Sequence, residues 1–382
     1  MSAATGSLSF RELRLRQFRN FSELEQSFPA AGVAIIGENG AGKTNLLEAI
    51  YYLEIFRSFR GAPDEQLVHF GAEAFHVRGR LATPEGRTDH ETTAAFELRG
   101  RRKRVTQNGS EPQRLGDALG GLGAVIFSPA DVALVRGAPS ERRRFLDIVL
   151  SLNRTGYLAA LQEYRQVLRQ RNASLRDPRA AAAMHAWDDA LVEAGTTIML
   201  ARAEWLGQNA EAFTRRYRII SGGAEARFHY RPGIRGTAEN VSDRAATVAG
   251  FRAELERLAA RERERGMTLA GPHRDEISFA IADATGENDL RDYGSGGQVR
   301  TAAIALRMVE ADTIRSRRGS NPLILLDDVF AELDRARSER IFELLETEQP
   351  GQVVLTAPKE SDLQLRSGQL ESWRISQGTI GH

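Results

Sequence analysis

Apolar and polar residues alternate along LSFRELRLRQF at 8–18, the pattern of a half-exposed strand, and GVAII at 32–36 reads as a short buried one. From Thr44 onward Leu46, Leu47, Ile50, Tyr51 and Leu53 recur at helical spacing, which predicts a helix ending near residue 57. The order is strand, glycine-rich loop, helix. Residues 75–107 predict two or three antiparallel strands, with Asn108-Gly109 as a hairpin turn. Beyond AVIFSPADVALV the pattern turns helical: 140–173 and 185–217 are long stretches rich in arginine and alanine, with Leu152, Leu158, Leu161, Tyr164 and Leu168 along one face. Neither holds a sustained heptad, which argues against a long coiled coil. A glycine- and charge-rich passage at 221–243 carries only the short strand signal ARFHY, and a helix follows at 246–265. The last third predicts a strand at 276–282, a glycine loop at 294–297, a helix to about 317, a strand at 323–327, a helix after Asp334 and a strand at 352–356. That alternation signals a parallel α/β sheet. There is no internal repeat and no low-complexity segment.

Composition narrows the class. A chain of 382 residues, 41% hydrophobic, has enough apolar material for two domains. The 52 basic and 51 acidic residues nearly cancel, so contact with a polyanion must come from local patches. The absence of cysteine excludes disulfides, thiolate metal sites and cysteine nucleophiles, and suits a reducing compartment. No apolar run approaches the roughly 20 residues that cross a bilayer, and MSAATGSLSFREL lacks a basic segment followed by an apolar one. A cytoplasmic protein without a membrane partner is expected.

Three motifs carry chemistry. GENGAGKT runs from Gly37 through Glu38, Asn39, Gly40, Ala41, Gly42 and Lys43 to Thr44, and matches a loop whose backbone N–H groups and following helix wrap nucleotide phosphates. Lys43 is then placed to reach the β and γ phosphates of ATP, and Thr44 to put its hydroxyl on Mg²⁺. The chain has only three lysines, Lys43, Lys103 and Lys359, against a background of arginine, and a compact ammonium suits a cramped phosphate site. PLILLDD at 322–328 reads as a buried central strand that delivers two carboxylates at its C-terminal edge: Asp327 toward Mg²⁺ and Asp328 as general base for the attacking water. YGSGGQ places Ser295, Gly296, Gly297 and Gln298 at the start of a helix of about five turns, a second anion site. Two such sites on one chain predict that the second closes over ATP bound to another copy, giving an ATP-dependent homodimer in which Lys43, Asp328 and Ser295 carry catalysis.

The set resembles the ABC-type ATPase heads of the SMC/Rad50-like class. FRNF at 18–21, FSPAD at 127–131, SERRRFLD at 140–147, GPHRDEI at 271–277 and LLDDVFAELD at 325–334 narrow the resemblance to the RecF family, over nearly the whole chain. It implies an α/β fold: an ATPase head with a mixed sheet and an inserted helical arm, the head comprising 1–131 and 266–382 and the arm 132–265. It further implies a weak, DNA-stimulated ATPase acting as a switch in recombinational repair and replication restart, which helps load recombinase at gapped DNA and single-strand/double-strand junctions with RecR and RecO. By position, Arg19 and Asn20 fall where related heads contact nucleotide, and Asp334 in a loop facing the partner subunit. Two departures stand out. Many heads have glutamate where this chain has Asp328, and where the class has a glutamine contacting Mg²⁺ this chain reads Ser128-Pro129. The shorter carboxylate fits slow turnover.

For DNA, the run RRKR at 101–104 with Arg99, the triplet Arg142, Arg143 and Arg144, and Arg57 with Arg60 are candidates for backbone contact, with at least one of the triplet expected to pack internally. An ABC transporter ATPase subunit shares the three motifs, but its signature lies closer to the phosphate loop than the roughly 250 residues seen here. A small-molecule kinase would not need the serine-glycine signature, and a scaffold that binds ATP without hydrolysis is the remaining alternative.

Overall fold

The computed structural model describes residues 9–82, 88–177, 185–235, 241, 243–283, 286–330, 333–348, 351–359 and 370–381. The chain divides into two units, one of residues 1–131 and 306–382 and the other of residues 132–305.

In chain order the first unit opens with β1 (Ser9–Phe18), β2 (Phe21–Ser27), β3 (Gly32–Ile36), α1 (Lys43–Ile55), β4 (Ala74–Ala82), β5 (Thr88–Glu97), β6 (Arg102–Gln107) and β7 (Ala124–Phe127). The second contains α2 (Val132–Arg136), α3 (Pro139–Asn153), α4 (Tyr157–Arg176), α5 (Asp188–Ser221), β8 (Glu225–Arg231), α6 (Arg244–Arg265), β9 (Glu276–Asp283), β10 (Gly286–Asp289) and α7 (Leu290–Tyr293). Helix α8 (Gly296–Arg318) leads back to the first unit, which ends with β11 (Leu323–Leu326), α9 (Arg335–Thr347), β12 (Val353–Ala357), β13 (Glu371–Ser376) and β14 (Thr379–Gly381). Among the described residues no helix is long and apolar enough to cross a membrane.

Two sheets build the first unit. One is antiparallel in the order β2-β1-β4-β5-β6; the other runs β14-β13-β3-β12-β11-β7 and is parallel except for β14. Helix α1 packs against strands of both sheets, β1, β4 and β5 on one side and β7 and β12 on the other. Its sequence explains this, because apolar residues occur all round it: Leu46, Leu47, Ile50, Tyr51, Tyr52 and Leu53 are all buried. Each such side chain contributes about 1.5–3 kcal/mol of burial, so the helix that carries the glycine loop is held from two sides. Phe18, Tyr52, Phe75 and Phe96 meet edge-on or stacked at the centre of the antiparallel side.

Several expectations change. The helix expected over 140–173 is two, α3 and α4. Tyr157 opens α4 and donates its hydroxyl to Asp147 Oδ1 of α3 at 2.7 Å, whereas ten residues of unbroken helix would separate them by about 15 Å. The strand at 276–282, read as part of a parallel α/β alternation, is β9, the centre of a three-stranded antiparallel sheet β10-β9-β8 in the second unit. Asn108-Gly109 does form a tight turn, with both residues at positive φ, but it closes only an isolated Gln107–Ser110 bridge; the β5–β6 hairpin turns earlier, where Arg101 N–H donates to Leu98 O.

The second unit is organised by buried charge. Arg202 of α5 is 2% exposed and donates to Asp147 Oδ1 (2.7 Å), Asp275 Oδ2 (2.5 Å) and the Pro272 carbonyl (2.8 Å). Tyr230 of β8 and the Gly233 N–H also donate to Asp275. The aspartates of SERRRFLD and GPHRDEI thus meet on one guanidinium.

Candidate functional site

The parallel strands β3, β12 and β11 lie side by side and end at the same edge, which in open α/β sheets is where ligands bind. From β3 the chain enters GENGAGKT. Gly37 can carry no side chain, since a Cβ there would lie 2.5 Å from the Ile375 carbonyl oxygen. Gly42 has φ +114°, and a Cβ would lie 2.5 Å from Asn20 Nδ2. Asn20 is itself a brace, donating to the Ala41 carbonyl at 3.2 Å and accepting from Asn45 Nδ2 at 2.8 Å. The loop is therefore shaped from behind by the turn between β1 and β2, which carries Asn20.

Lys43 is 4% exposed and donates to the carbonyls of Gly37 (2.7 Å) and Glu38 (3.2 Å), with Asp328 Oδ2 at 3.9 Å. Thr44 donates its hydroxyl to Asp327 Oδ1 at 2.9 Å, across 283 positions of sequence. Asp327 is buried and its carboxyl is pushed up to about 6, chiefly by burial, with the Thr44 hydroxyl opposing and Asp328 reinforcing. Asp328 takes a left-handed backbone, φ +46°, a conformation aspartate adopts more readily than most residues.

Thr356 at the end of β12 joins the two aspartates. Its hydroxyl accepts the Asp328 N–H at 3.0 Å and lies 3.2 Å from both Asp327 Oδ1 and Asp328 Oδ1. Sequence reading passed over it; its signal was its place at the end of an apolar strand, beside the strand that delivers the aspartates. Ser128 follows β7, and its N–H donates to Asp131 Oδ2 at 2.8 Å while Asp131 Oδ1 receives Arg307 at 2.7 Å. The FSPAD stretch is a turn locked by its own aspartate.

Arg19 pairs with Glu48 of α1, Nε–Oε2 2.8 Å and Nη2–Oε1 3.0 Å, and donates to the Gln66 carbonyl at 3.0 Å. Glu48 is fully buried and also receives the Ser58 hydroxyl. Arg19 and Asn20 line, with Asn39, Gly40, Gly42, Lys43, Thr44 and Asp328, one cavity of about 840 Å³. Gly37, Glu38, Ala41 and Asp327 are not part of that lining.

Ser295, Gly296, Gly297 and Gln298 belong to the second unit. Ser295 and Gln298 cap α8 reciprocally: Gln298 Oε1 accepts the Ser295 N–H at 2.7 Å and Ser295 Oγ accepts the Gln298 N–H at 3.2 Å. Arg136 of α2 donates to the Gly294 carbonyl just before this turn. Asp334 caps α9, accepting the Arg337 N–H at 2.9 Å, and this bond with the Arg337 charge lowers its pKa.

Several arginine and lysine candidates for DNA contact are already engaged. Lys103 donates to the Phe56 carbonyl at 2.6 Å and to Asp64 at 2.7 Å; Arg101 pairs with Glu65 and Arg104 with Glu111. Arg142 is 4% exposed, on Glu276, Val135 O and Gly137 O, so the internal member expected of that triplet is Arg142. Arg143 donates to the Asp275 carbonyl at 2.8 Å, and Arg60 to Asn45 Oδ1 at 3.3 Å. Arg57 and Arg99 are exposed.

Comparison with known proteins places this geometry. The model of the RecF/RecN/SMC N terminal domain matches residues 9–373. The DNA replication and repair protein RecF of Salinibacter ruber is 37% identical over 359 residues, 91% of this chain and 84% of its own; that of a Synechococcus species is 40% identical over 345 residues, 88% of each. Among solved structures, the recombination mediator protein RecF with ATP, of the RecFOR pathway, superposes with TM-score 0.88 at 28% identity, over 100% of this chain and 99% of that one. A Pyrococcus furiosus Smc head domain shares the fold, with TM-score 0.57 at 15% identity over 98% and 95%.

Proposed function

The chain belongs to the RecF family of DNA replication and repair proteins, and on that premise we propose that it binds ATP at GENGAGKT, dimerises when it does so, and hydrolyses ATP slowly as a switch on DNA. Its fold is that of the SMC-like ABC ATPase head. The observation that carries the proposal is the Thr44–Asp327 contact of 2.9 Å beside Lys43: a phosphate loop and a strand-end carboxylate, far apart in sequence, meet at one sheet edge. The transporter reading has no support among the relatives. On function, we keep 1–131 and 266–382 as the head and 132–265 as the arm.

The residues fit a magnesium ion. Thr44 and Asp327 are hard oxygen donors, and the buried Asp327 carboxyl, raised to about 6, gains from a cation. No group of three or more His, Cys, Asp or Glu among the described residues could hold a metal alone, which suits an ion that takes one or two protein ligands and completes its shell with phosphates and water. Bound there, it would neutralise charge on the β and γ phosphates.

Lys43 exchanges its two carbonyl partners for phosphate oxygens. The loop N–H groups and the start of α1 supply the rest of the phosphate cradle. Asp328 accepts a proton from the attacking water, and Thr356 aims it by holding the Asp328 N–H and sharing its own hydrogen between the two carboxylates. Ser295, Gly296, Gly297 and Gln298 act on the ATP of a second copy, and Asp334 faces that copy. Arg57 and Arg99, which are exposed, contact DNA phosphates on gapped or junction DNA, while Arg101, Lys103, Arg104 and Arg142 are held by other partners. By family likeness, RecR and RecO are the protein partners.

Sizing by light scattering, with and without ATP and Mg²⁺ on gapped DNA, tests this. The parent should dimerise only with ATP, Lys43→Met should stay monomeric, and Asp328→Asn should dimerise without turnover. A monomer indifferent to ATP and DNA overturns the proposal.

A further inference from the structure

The phosphate-binding residues occupy only part of the cavity. Its lining continues from Lys43 and Thr44 to Gln66, Val68, His69 and Phe70, and its volume of about 840 Å³ lies within the roughly 300–1,000 Å³ of pockets that enclose a whole small molecule. Three phosphates leave much of it unfilled.

The segment 66–70 is clamped, not loose. Val68 bridges Phe18 in antiparallel fashion, the His69 N–H donates to the Gln17 carbonyl at 2.7 Å, and the Arg19 N–H donates to the Leu67 carbonyl at 2.7 Å. Gln17 and Arg19, on either side of Phe18, both take positive φ to make these bonds. The His69 ring is fixed as well. Nδ1 lies 2.7 Å from the Arg19 carbonyl oxygen, which can only accept, so Nδ1 carries a hydrogen; the tautomer with one hydrogen has its lone pair at Nε2. Next to it Phe70 is 99% exposed, a whole aromatic face left in water at the wall of a ligand cavity.

We propose that His69 and Phe70 are the base-recognition pair of this cavity, selecting adenine over guanine. The inference rests on ATP binding at the loop and adds what distinguishes ATP from GTP there. Phe70 offers a stacking face to any purine. Nε2 of His69 accepts a hydrogen bond; adenine presents an amino group at its six position, which donates, whereas guanine presents a carbonyl oxygen there, which meets the lone pair unpaired. A site built around a hydrogen-bond acceptor rejects the analogue that cannot donate more strongly than shape alone would.

Equilibrium competition by ATP, GTP and inorganic tripolyphosphate, on the full-length parent, Phe70→Ala and His69→Gln, tests the pair. The parent should prefer ATP to GTP at least tenfold. Phe70→Ala should weaken both nucleotides about tenfold and leave their ratio unchanged. His69→Gln, whose amide can turn either its oxygen or its nitrogen to the base, should bring the ratio toward one. Tripolyphosphate should bind all three proteins alike. A ratio untouched by His69→Gln, nucleotide affinities untouched by Phe70→Ala, or tripolyphosphate weakened in step with the nucleotides overturns the pair. If ATP still binds in those cases and is lost with Lys43→Met, the phosphate-loop reading stands without it; a parent that binds no ATP sinks both.

Discussion

Gly42 and Asn20 make a coupled test of how the phosphate loop is shaped. An alanine at 42 must adopt φ near +114°, and left-handed backbone costs an L residue roughly 1–2 kcal/mol. Its Cβ would also lie 2.5 Å from Asn20 Nδ2 and 3.0 Å from Oδ1, so Asn20 must swing away and lose its bonds to the Ala41 carbonyl and Asn45, each about 1 kcal/mol. Gly42→Ala should then weaken ATP binding by about 3 kcal/mol, roughly 150-fold. Asn20→Ala, which loses the two bonds but creates no clash, should cost about 2 kcal/mol. In the double variant the bonds are already gone and only the backbone penalty is added, so the total should be about 3–4 kcal/mol and not the sum of about 5, a coupling of about 1.5 kcal/mol. Titration calorimetry with ATP and Mg²⁺ on the four proteins measures the cycle. Strict additivity would show that Asn20 does not brace the loop at Gly42, and an unaffected Gly42→Ala would show that the loop binds ATP in another shape.

Other consequences are as direct. Glu54 of α1 is buried, accepts the N–H groups of Leu122 and Gly123 at 2.8 and 2.9 Å, and is pushed up to about 7, first by burial, from 4.5. A carboxyl raised on folding contributes most below its unfolded pKa and loses that contribution as pH climbs to the folded one, here by about 3 kcal/mol between pH 4.5 and 7. Relative to the parent, Glu54→Gln should therefore gain stability from pH 5 to pH 8 in urea unfolding, and a pH-independent difference would refute the assignment. Thr356→Val should leave ATP binding intact and cut steady-state ATPase about tenfold through the loss of a transition-state orientation worth roughly 1.4 kcal/mol; unchanged turnover would remove Thr356 from the site. Arg202→Met strands Asp147 and Asp275 in the interior and should destabilise the second unit by about 3–5 kcal/mol, read as a lower urea midpoint.

The chemistry was legible in the sequence where it is local. GENGAGKT needs glycines at set spacings, and LILLDD needs an apolar run ending in carboxylates, so both could be recognised without coordinates. The pairing of Thr44 with Asp327 needed only the further step of placing two parallel strands near each other. Thr356 was hidden because a hydroxyl at a strand end has no pattern of its own; its role comes from β12 lying between β3 and β11. The pairing of the charged runs was hidden for a related reason. RRKR looks like a cationic strip, but Asp64, Glu65 and Glu111 come from elsewhere in the chain to meet it. Strand β9 was read with the wrong sheet because its partner β8 is 45 or more positions earlier, across α6. The strands β2, β10, β13 and β14 carry weak signals: β2 is strongly polar, β10 and β14 are only four and three residues long, and exposed polar residues interrupt β13.

Lys43 is committed to its own loop before any phosphate meets it. With its ammonium on the carbonyls of Gly37 and Glu38, Lys43 already has acceptors within the loop, so a phosphate that recruits it must replace those two bonds. The heat of binding then reports a difference between two sets of partners and understates the strength of either.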